Sequence, residues 1–153
     1  MSASVSLIKR RAASKRAAVN EYQAQHFLRL TNKLREATLQ HFGVRSEFGL
    51  PEDGWSRFTE LPEYEDFVSG AYGCGFVCED FNPDFPIDDA HRRPAEVLRE
   101  VSLIKLRHYI HCVIRAERHS DGWGSMIYEA MRAGALNTVC ERLAPDSSLY
   151  EPY

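Results

Sequence analysis

The densest run of chemically capable side chains is Leu106-Arg107-His108-Tyr109-Ile110-His111-Cys112-Val113-Ile114-Arg115-Ala116-Glu117-Arg118-His119-Ser120-Asp121-Gly122. Imidazoles carry protons near neutral pH, thiolates attack carbon or bind soft metals, and guanidinium forks hold planar anions. On a helix, Lys105, His108, Cys112, Arg115 and His119 share one stripe, and Arg107, His111 and Arg118 lie close to it. Glu117 is the acidic exception on this cationic face. Two readings fit. The face is an anion site for phosphate or carboxylate, or it is an internal ion-pair surface set against acids elsewhere in the chain. The second is the expected one, because charge networks of this kind are commonly structural. Either way the residues concerned are His108, Arg115, Glu117, Arg118 and Asp121.

Metal chemistry is the next candidate. Cys74-x-x-x-Cys78 has a spacer found in structural zinc pairs, and His108 and Cys112 stand four apart on one helix face. A site of Cys74, Cys78, His108 and Cys112 can be drawn. No second tight Cys/His pair follows, so buried free thiols are expected instead, with no metal and no other cofactor. Cys74 lies between two glycines, a turn context that could expose a thiolate, yet nothing in the sequence sets a His beside it. Gly70-x-x-Gly73-x-Gly75 lacks the Lys-Ser/Thr ending and the preceding strand of a phosphate loop, and reads as a helix end followed by a turn. No catalytic residue is assigned.

These residues must be positioned by helices. Of 153 residues, 44% are hydrophobic and 27% charged, enough apolar material for one buried core. Between Met1 and Gly43 there is no Gly or Pro. Ile8, Ala12, Val19, Tyr22, His26, Leu30 and Leu34 recur at steps of three, four and seven, predicting a long helix over 5–42, or two in series, that stops at Gly43. Residues 43–61 read as a loop. Pro62 opens a helix that ends by Gly73–Gly75. Phe76-Val77-Cys78 reads as a short extended piece, and 79–94 as an ordered loop pinned by Phe81 and Phe85. Helices follow at 95–101, 103–118 (capped by Ser102, with Leu103, Leu106, Ile110 and Val113 buried), 123–133 and 135–143, with Gly134 between the last two. The class is all-α, a compact helical domain. Its parts are a long basic N-terminal helix (1–42), a helical core with acidic, aromatic-rich loops (43–145), and a tail (146–153).

Net charge is only −3, yet the charges are segregated. Residues 1–46 carry nine Lys/Arg against two acids; residues 47–90 carry twelve acids against Arg57 alone. Such a split concerns fields and partners. Lys9, Arg10, Arg11, Lys15 and Arg16 wrap charge around a helix, which suits phosphate neutralisation more than base reading. In the acidic segment, aromatics from Phe48 to Phe85 interleave with the carboxylates. That pattern can dock a basic groove on another protein or imitate a nucleic acid surface; the alternative is that the aromatics are core and the acids face water. Residues 5–8 are too short for a secretory h-region and Lys9 follows them, so a cytoplasmic protein with reduced thiols is expected. The first eighteen residues also have the composition of an organellar transit peptide, the lesser reading. No stretch is long enough for a membrane span.

Two stretches carry a resemblance. One is Trp55-x-x-Phe58-x-x-Leu61-Pro62-Glu63-Tyr64 with the aromatic/Gly run to Phe76. The other is Leu106-Arg107 through Ile114-Arg115-Ala116-Glu117-Arg118-x-x-Asp121-Gly122, then Gly134-x-Leu136 and Arg142-Leu143. Over residues 55–143 the chain resembles a family of small bacterial and mobile-element proteins known only as a domain of unknown function, and the basic segment 1–42 looks like an individual addition. In kind it is similar to phage- or plasmid-encoded inhibitors of bacterial defence, including anti-CRISPR proteins. The resemblance implies a non-enzymatic inhibitor. It would act on a bacterial protein complex, such as a CRISPR-associated nuclease or helicase, and the charge pattern of the chain offers Glu63, Asp66, Asp84, Asp88 and Asp89 as the acidic surface for that contact. The alternatives are a nucleic-acid-binding accessory protein that uses Lys9 to Arg16, and a metal- or anion-dependent enzyme built on 103–119. A homodimer through the N-terminal helix is the expected oligomer.

Overall fold

The computed structural model describes residues 19–80, 82–120, 122–145 and 147. Their helices are α1 (Glu21–Phe42), α2 (Trp55–Phe58), α3 (Pro62–Gly73), α4 (Ile87–Arg92), α5 (Pro94–Leu98), α6 (Leu103–Ser120), α7 (Met126–Arg132) and α8 (Ala135–Leu143), with a 3-10 turn at Glu47–Gly49. Among the described residues there is no strand, and the all-α class holds.

Helix α1 starts later than its apolar spacing suggests. Asn20 has extended backbone and its side chain accepts from the Gln23 amide at 2.8 Å. The Gln23 side chain accepts from the Asn20 amide at 3.0 Å in return. This reciprocal box satisfies two donors that a first turn leaves open, so an unbroken 5–42 helix does not form. Residues 1–18, with Lys9 to Arg16, lie outside the described residues. Gly43 ends the helix in the left-handed region at φ 64°, as the sequence predicts.

The buried face of α1 is also shifted. It runs Ala24, Phe27, Thr31, Leu34 and Thr38, whereas Tyr22 and His26 are exposed. The two threonines hide their hydroxyls by donating to the carbonyls of Phe27 (2.8 Å) and Leu34 (2.6 Å) one turn back, so they serve as core residues. Phe27 anchors the packing of α1 on α3. Its ring stacks on Phe76 at 4.4 Å and tilts against Phe67 at 5.1 Å. Gly70 permits the close approach: a Cβ there would lie 2.1 Å from a Leu30 methyl. It is therefore a packing residue within α3 and no part of a turn.

Four further segments differ from the sequence expectation. Residues 43–61 hold a 3-10 turn and α2, and Arg35 of α1 closes over that turn by donating its Nε to the buried Glu47 carboxylate at 2.8 Å. The proline-rich 79–94 segment contains α4, because Pro86 precedes its first turn and Pro94 opens α5, places where a missing N–H costs nothing. Helix α7 begins at Met126, where Ser125 caps it, and not at 123. Phe76 to Cys78 is buried coil.

Helix α6 is the central element, packed by α3, α4 and α7. Its interior includes Leu106, Tyr109, Ile110, Val113 and Ile114, a wider face than the expected stripe. Ser102 caps it, accepting from the Lys105 amide at 3.2 Å. Helix α8 closes the domain against α1, and Gln25 donates to the Leu143 carbonyl at 2.7 Å.

Replacing Phe27 by Ala removes the ring shared by Phe67 and Phe76 and is expected to cost about 3–5 kcal/mol in urea unfolding. Asn20→Ala should cost about 1 kcal/mol by loss of the cap.

Candidate functional site

Two of the chemical residues of α6, Arg107 and His111, are turned inward; His108, Cys112, Arg115 and Glu117 are half-buried, and Lys105, Arg118 and His119 are exposed. Arg107 is buried and its Nε donates to the Gly75 carbonyl at 2.7 Å. His111 is fully buried. Its Nδ1 accepts from the Cys78 amide at 2.9 Å, and its Nε2 stands 3.2 Å from the Asn82 side-chain oxygen. The first bond requires an unprotonated Nδ1, so Nε2 carries the proton and donates to Asn82. Cys112 donates its S–H to the Pro83 carbonyl at 3.2 Å. These three side chains strap segment 75–83 across the helix. The strap is polar; Phe81 lies outside the described residues, and Phe85 packs edge-on against Tyr109 at 5.6 Å.

Glu117 has a comparable task. Its carboxylate accepts from Tyr64 Oη at 2.6 Å, from Ser125 Oγ at 2.8 Å and from the Ile127 amide at 2.8 Å. Ser125 accepts in turn from the Tyr128 amide at 3.1 Å. One half-buried acid on α6 thereby holds α3 and the start of α7. Burial, with the Glu117 hydrogen bond second, pushes the Tyr64 phenol well above its ordinary pKa.

Two cations of this face, Arg115 and Arg118, stand away from the described acids of 47–90. Among the described residues no carboxylate lies within 4 Å of Arg115 or Arg118. Arg118 donates instead to Tyr72 Oη at 2.9 Å. The acids pair elsewhere: Glu47 with Arg35, Asp89 with Arg92 (3.4 Å) and Arg93 (3.9 Å), and Glu96 with Arg93 (3.2 Å). His108 is half-buried, and burial followed by Lys105 and Arg107 lowers its pKa. Asp121 lies outside the described residues.

No three His, Cys, Asp or Glu among the described residues gather into a set that could hold a metal, so Cys74, Cys78, His108 and Cys112 do not form the site drawn from their spacing. Burial raises the pKa of all four thiols, Cys140 to about 11. They are poor nucleophiles as they stand.

The acids sort by exposure. Asp66, Asp84 and Asp88 are exposed; Glu63 and Asp89 are half-buried. A hollow of about 380 Å³ opens between the start of α3 and the C-terminal half of α6, with Glu60, Tyr64, Glu65, Glu117 and Arg118 in its wall. A shallower groove of about 370 Å³ runs between α1 and α3 past His26, Asp66 and Cys74. Nothing in the spacing of Tyr64 and Glu117, 53 positions apart, signals their pairing. The same holds for His91 and Tyr109, whose side chains meet at 2.7 Å.

No protein-family model, curated protein or solved structure matches the chain. Among the described residues no helix is long and apolar enough to cross a membrane.

Two histidines set an acid limit. Burial first, and for His111 nearby Arg115, Arg107 and His108, holds His91 and His111 down to about 4 from the ordinary 6.5. Between these values the unfolded chain binds protons that the folded chain refuses. Stability is therefore independent of both groups above 6.5, falls as pH drops from 6.5 towards 4, and levels off below. Urea titrations across that range should show the decline, and His111→Gln should remove about half of it, His91 supplying the rest. Tyr64→Phe should cost about 1–2 kcal/mol, and Glu117→Ala about 2–4, with strong coupling in the double mutant because both act on one carboxylate.

Proposed function

We propose that this chain is a non-enzymatic interaction protein that docks on a basic surface of another protein through Glu63, Asp66, Asp84, Asp88 and Asp89. The observation that carries the reading is a division of labour between inside and outside. Side chains able to do chemistry (Arg107, His111, Cys112, Glu117) are engaged in holding the fold. Asp66, Asp84 and Asp88 stand exposed, and among the described residues no cation lies within 4 Å of them. Fields from unpaired surface carboxylates raise association rates with basic partners and select between them.

The resemblance to small mobile-element proteins and anti-defence inhibitors supplies the target class. The partner is a bacterial nucleic-acid-handling complex, with a CRISPR-associated nuclease or helicase as the type, and docking inhibits it by occupying the basic surface that nucleic acid would use. This places the protein's action in the cytoplasm.

The test compares capture from nuclease-treated bacterial lysate by the wild-type chain and by a variant with Asp84, Asp88 and Asp89 all changed to Lys. The wild type should retain a specific protein, and the variant should lose it while keeping its circular-dichroism melting curve. Equal capture by the variant overturns the acidic-surface reading. Capture that vanishes with nuclease treatment moves the function to nucleic-acid binding and directs mutation to Lys9, Arg10, Arg11, Lys15 and Arg16.

A further inference from the structure

The hollow between α3 and α6 combines an apolar base with an excess of negative charge. Ile114, fully buried, forms its floor together with Leu61 and Val68. Glu60 and Glu65 stand exposed in its wall and Glu117 lies deeper, half-buried. Arg118 is the cation of the lining, and its guanidinium is directed to Tyr72 Oη at 2.9 Å. The three donors to the Glu117 carboxylate, a phenol, a hydroxyl and a backbone amide, are all neutral. Among the described residues no nitrogen of Lys, Arg or His lies within 4 Å of Glu60, Glu65 or Glu117. A charge withdrawn part-way from water and met only by neutral donors gains most from a cation that also excludes solvent.

We propose that this hollow receives an arginine side chain from the partner protein, its guanidinium at Glu117 and the Glu60/Glu65 rim and its methylene stem along Leu61, Pro62 and Val68. The stem of Arg covers apolar surface while its head stays polar, which matches an apolar floor under a carboxylate rim. Its planar fork has five donors, enough to reach acceptors placed on two elements, and it stacks on an aromatic face such as Tyr64; the compact ammonium of Lys does neither. The inference rests on the proposed docking to a basic protein surface and adds to it a specific contact that is separate from Asp84, Asp88 and Asp89.

The experiment is a nitrogen-15 amide titration of the full chain with N-acetyl-arginine methylamide, using N-acetyl-citrulline methylamide as the uncharged isostere. Saturable shifts are expected in the amides of 59–68 and 114–118, and in Ile127, whose N–H donates to Glu117. Affinity should fall in the millimolar range usual for a single small contact. Changing exposed Glu60 and Glu65 together to Gln should weaken binding by about fivefold or more without altering the fold. Absence of saturable shifts, equal binding of the citrulline probe, or undiminished binding by the double variant overturns the proposal. Agmatine binding at least about tenfold more tightly than the blocked arginine overturns it too, because the hollow then selects a free small guanidine. Loss of capture on reversing Asp84, Asp88 and Asp89, with no arginine binding here, sinks this inference and leaves the docking reading standing.

Discussion

Polar groups taken out of water must be matched, and helix α6 carries that constraint through the centre of the domain. Arg107 and His111 are buried at positions where a less demanding helix would place Leu or Ala. An unmatched buried guanidinium costs several kcal/mol, so a carbonyl must be brought to it, and Gly75 supplies one. His111 needs an acceptor and a donor on opposite sides of its ring, and the Asn82 side chain and the Cys78 amide provide them. Gly75, Cys78, Asn82 and Pro83 are thus tied to α6, although the described residues of this segment form no regular structure. At the other end of the helix Glu117 makes a similar demand, which fixes the entry of α3 and the start of α7. Apolar burial supplies most of the driving force for folding, but it is indifferent to register. The polar matches choose which compact arrangement is formed.

What could be read from the sequence follows from how local the signal is. Helix α6, the Pro62 start of α3, the span of α8 and the stop at Gly43 rest on periodicity and capping chemistry contained in a few adjacent residues. The start of α1 was equally local, since Asn20-x-x-Gln23 is a capping box, yet the apolar spacing on either side masked it. Threonines counted as polar hid the true buried stripe of α1. Prolines read as loop markers concealed α4, whose first turn follows Pro86. The burial of Arg107 and His111 on α6 was of another kind. A helical projection separates apolar from polar sides, but it cannot tell a side facing water from one facing an ordered backbone. The partners of Arg107 and His111 are about thirty positions away, on a segment with no period of its own.

The same distinction orders the acidic middle of the chain. Of its aromatics, Phe58, Phe67 and Phe76 are fully buried, and Tyr64 and Tyr72 are half-buried and bonded to α6. Their interleaving with carboxylates is therefore that of an amphipathic layer: rings inward, acids outward. Phe48 departs from it at 76% exposure, and Trp123 stands 93% exposed between Gly122 and Gly124. In this segment most acids therefore face outward, while Arg107, His111, Cys112 and Glu117 of α6 make their hydrogen bonds within the fold.

The clasp between Gln25 and the Leu143 carbonyl joins positions 118 apart, and α1 and α8 lie against one another along with it. Helical domains usually assemble quickly because most of their contacts are between near neighbours in sequence. Here the first and last described helices form a common wall, so closure must wait for nearly the whole chain. During synthesis on a ribosome, α3 can cover Phe27 early, but the part of α1 that packs on α8 would stay open until α8 had emerged. The nascent chain therefore has an interval of exposed apolar surface, and its length is set by translation speed and not by the intrinsic rate of helix formation.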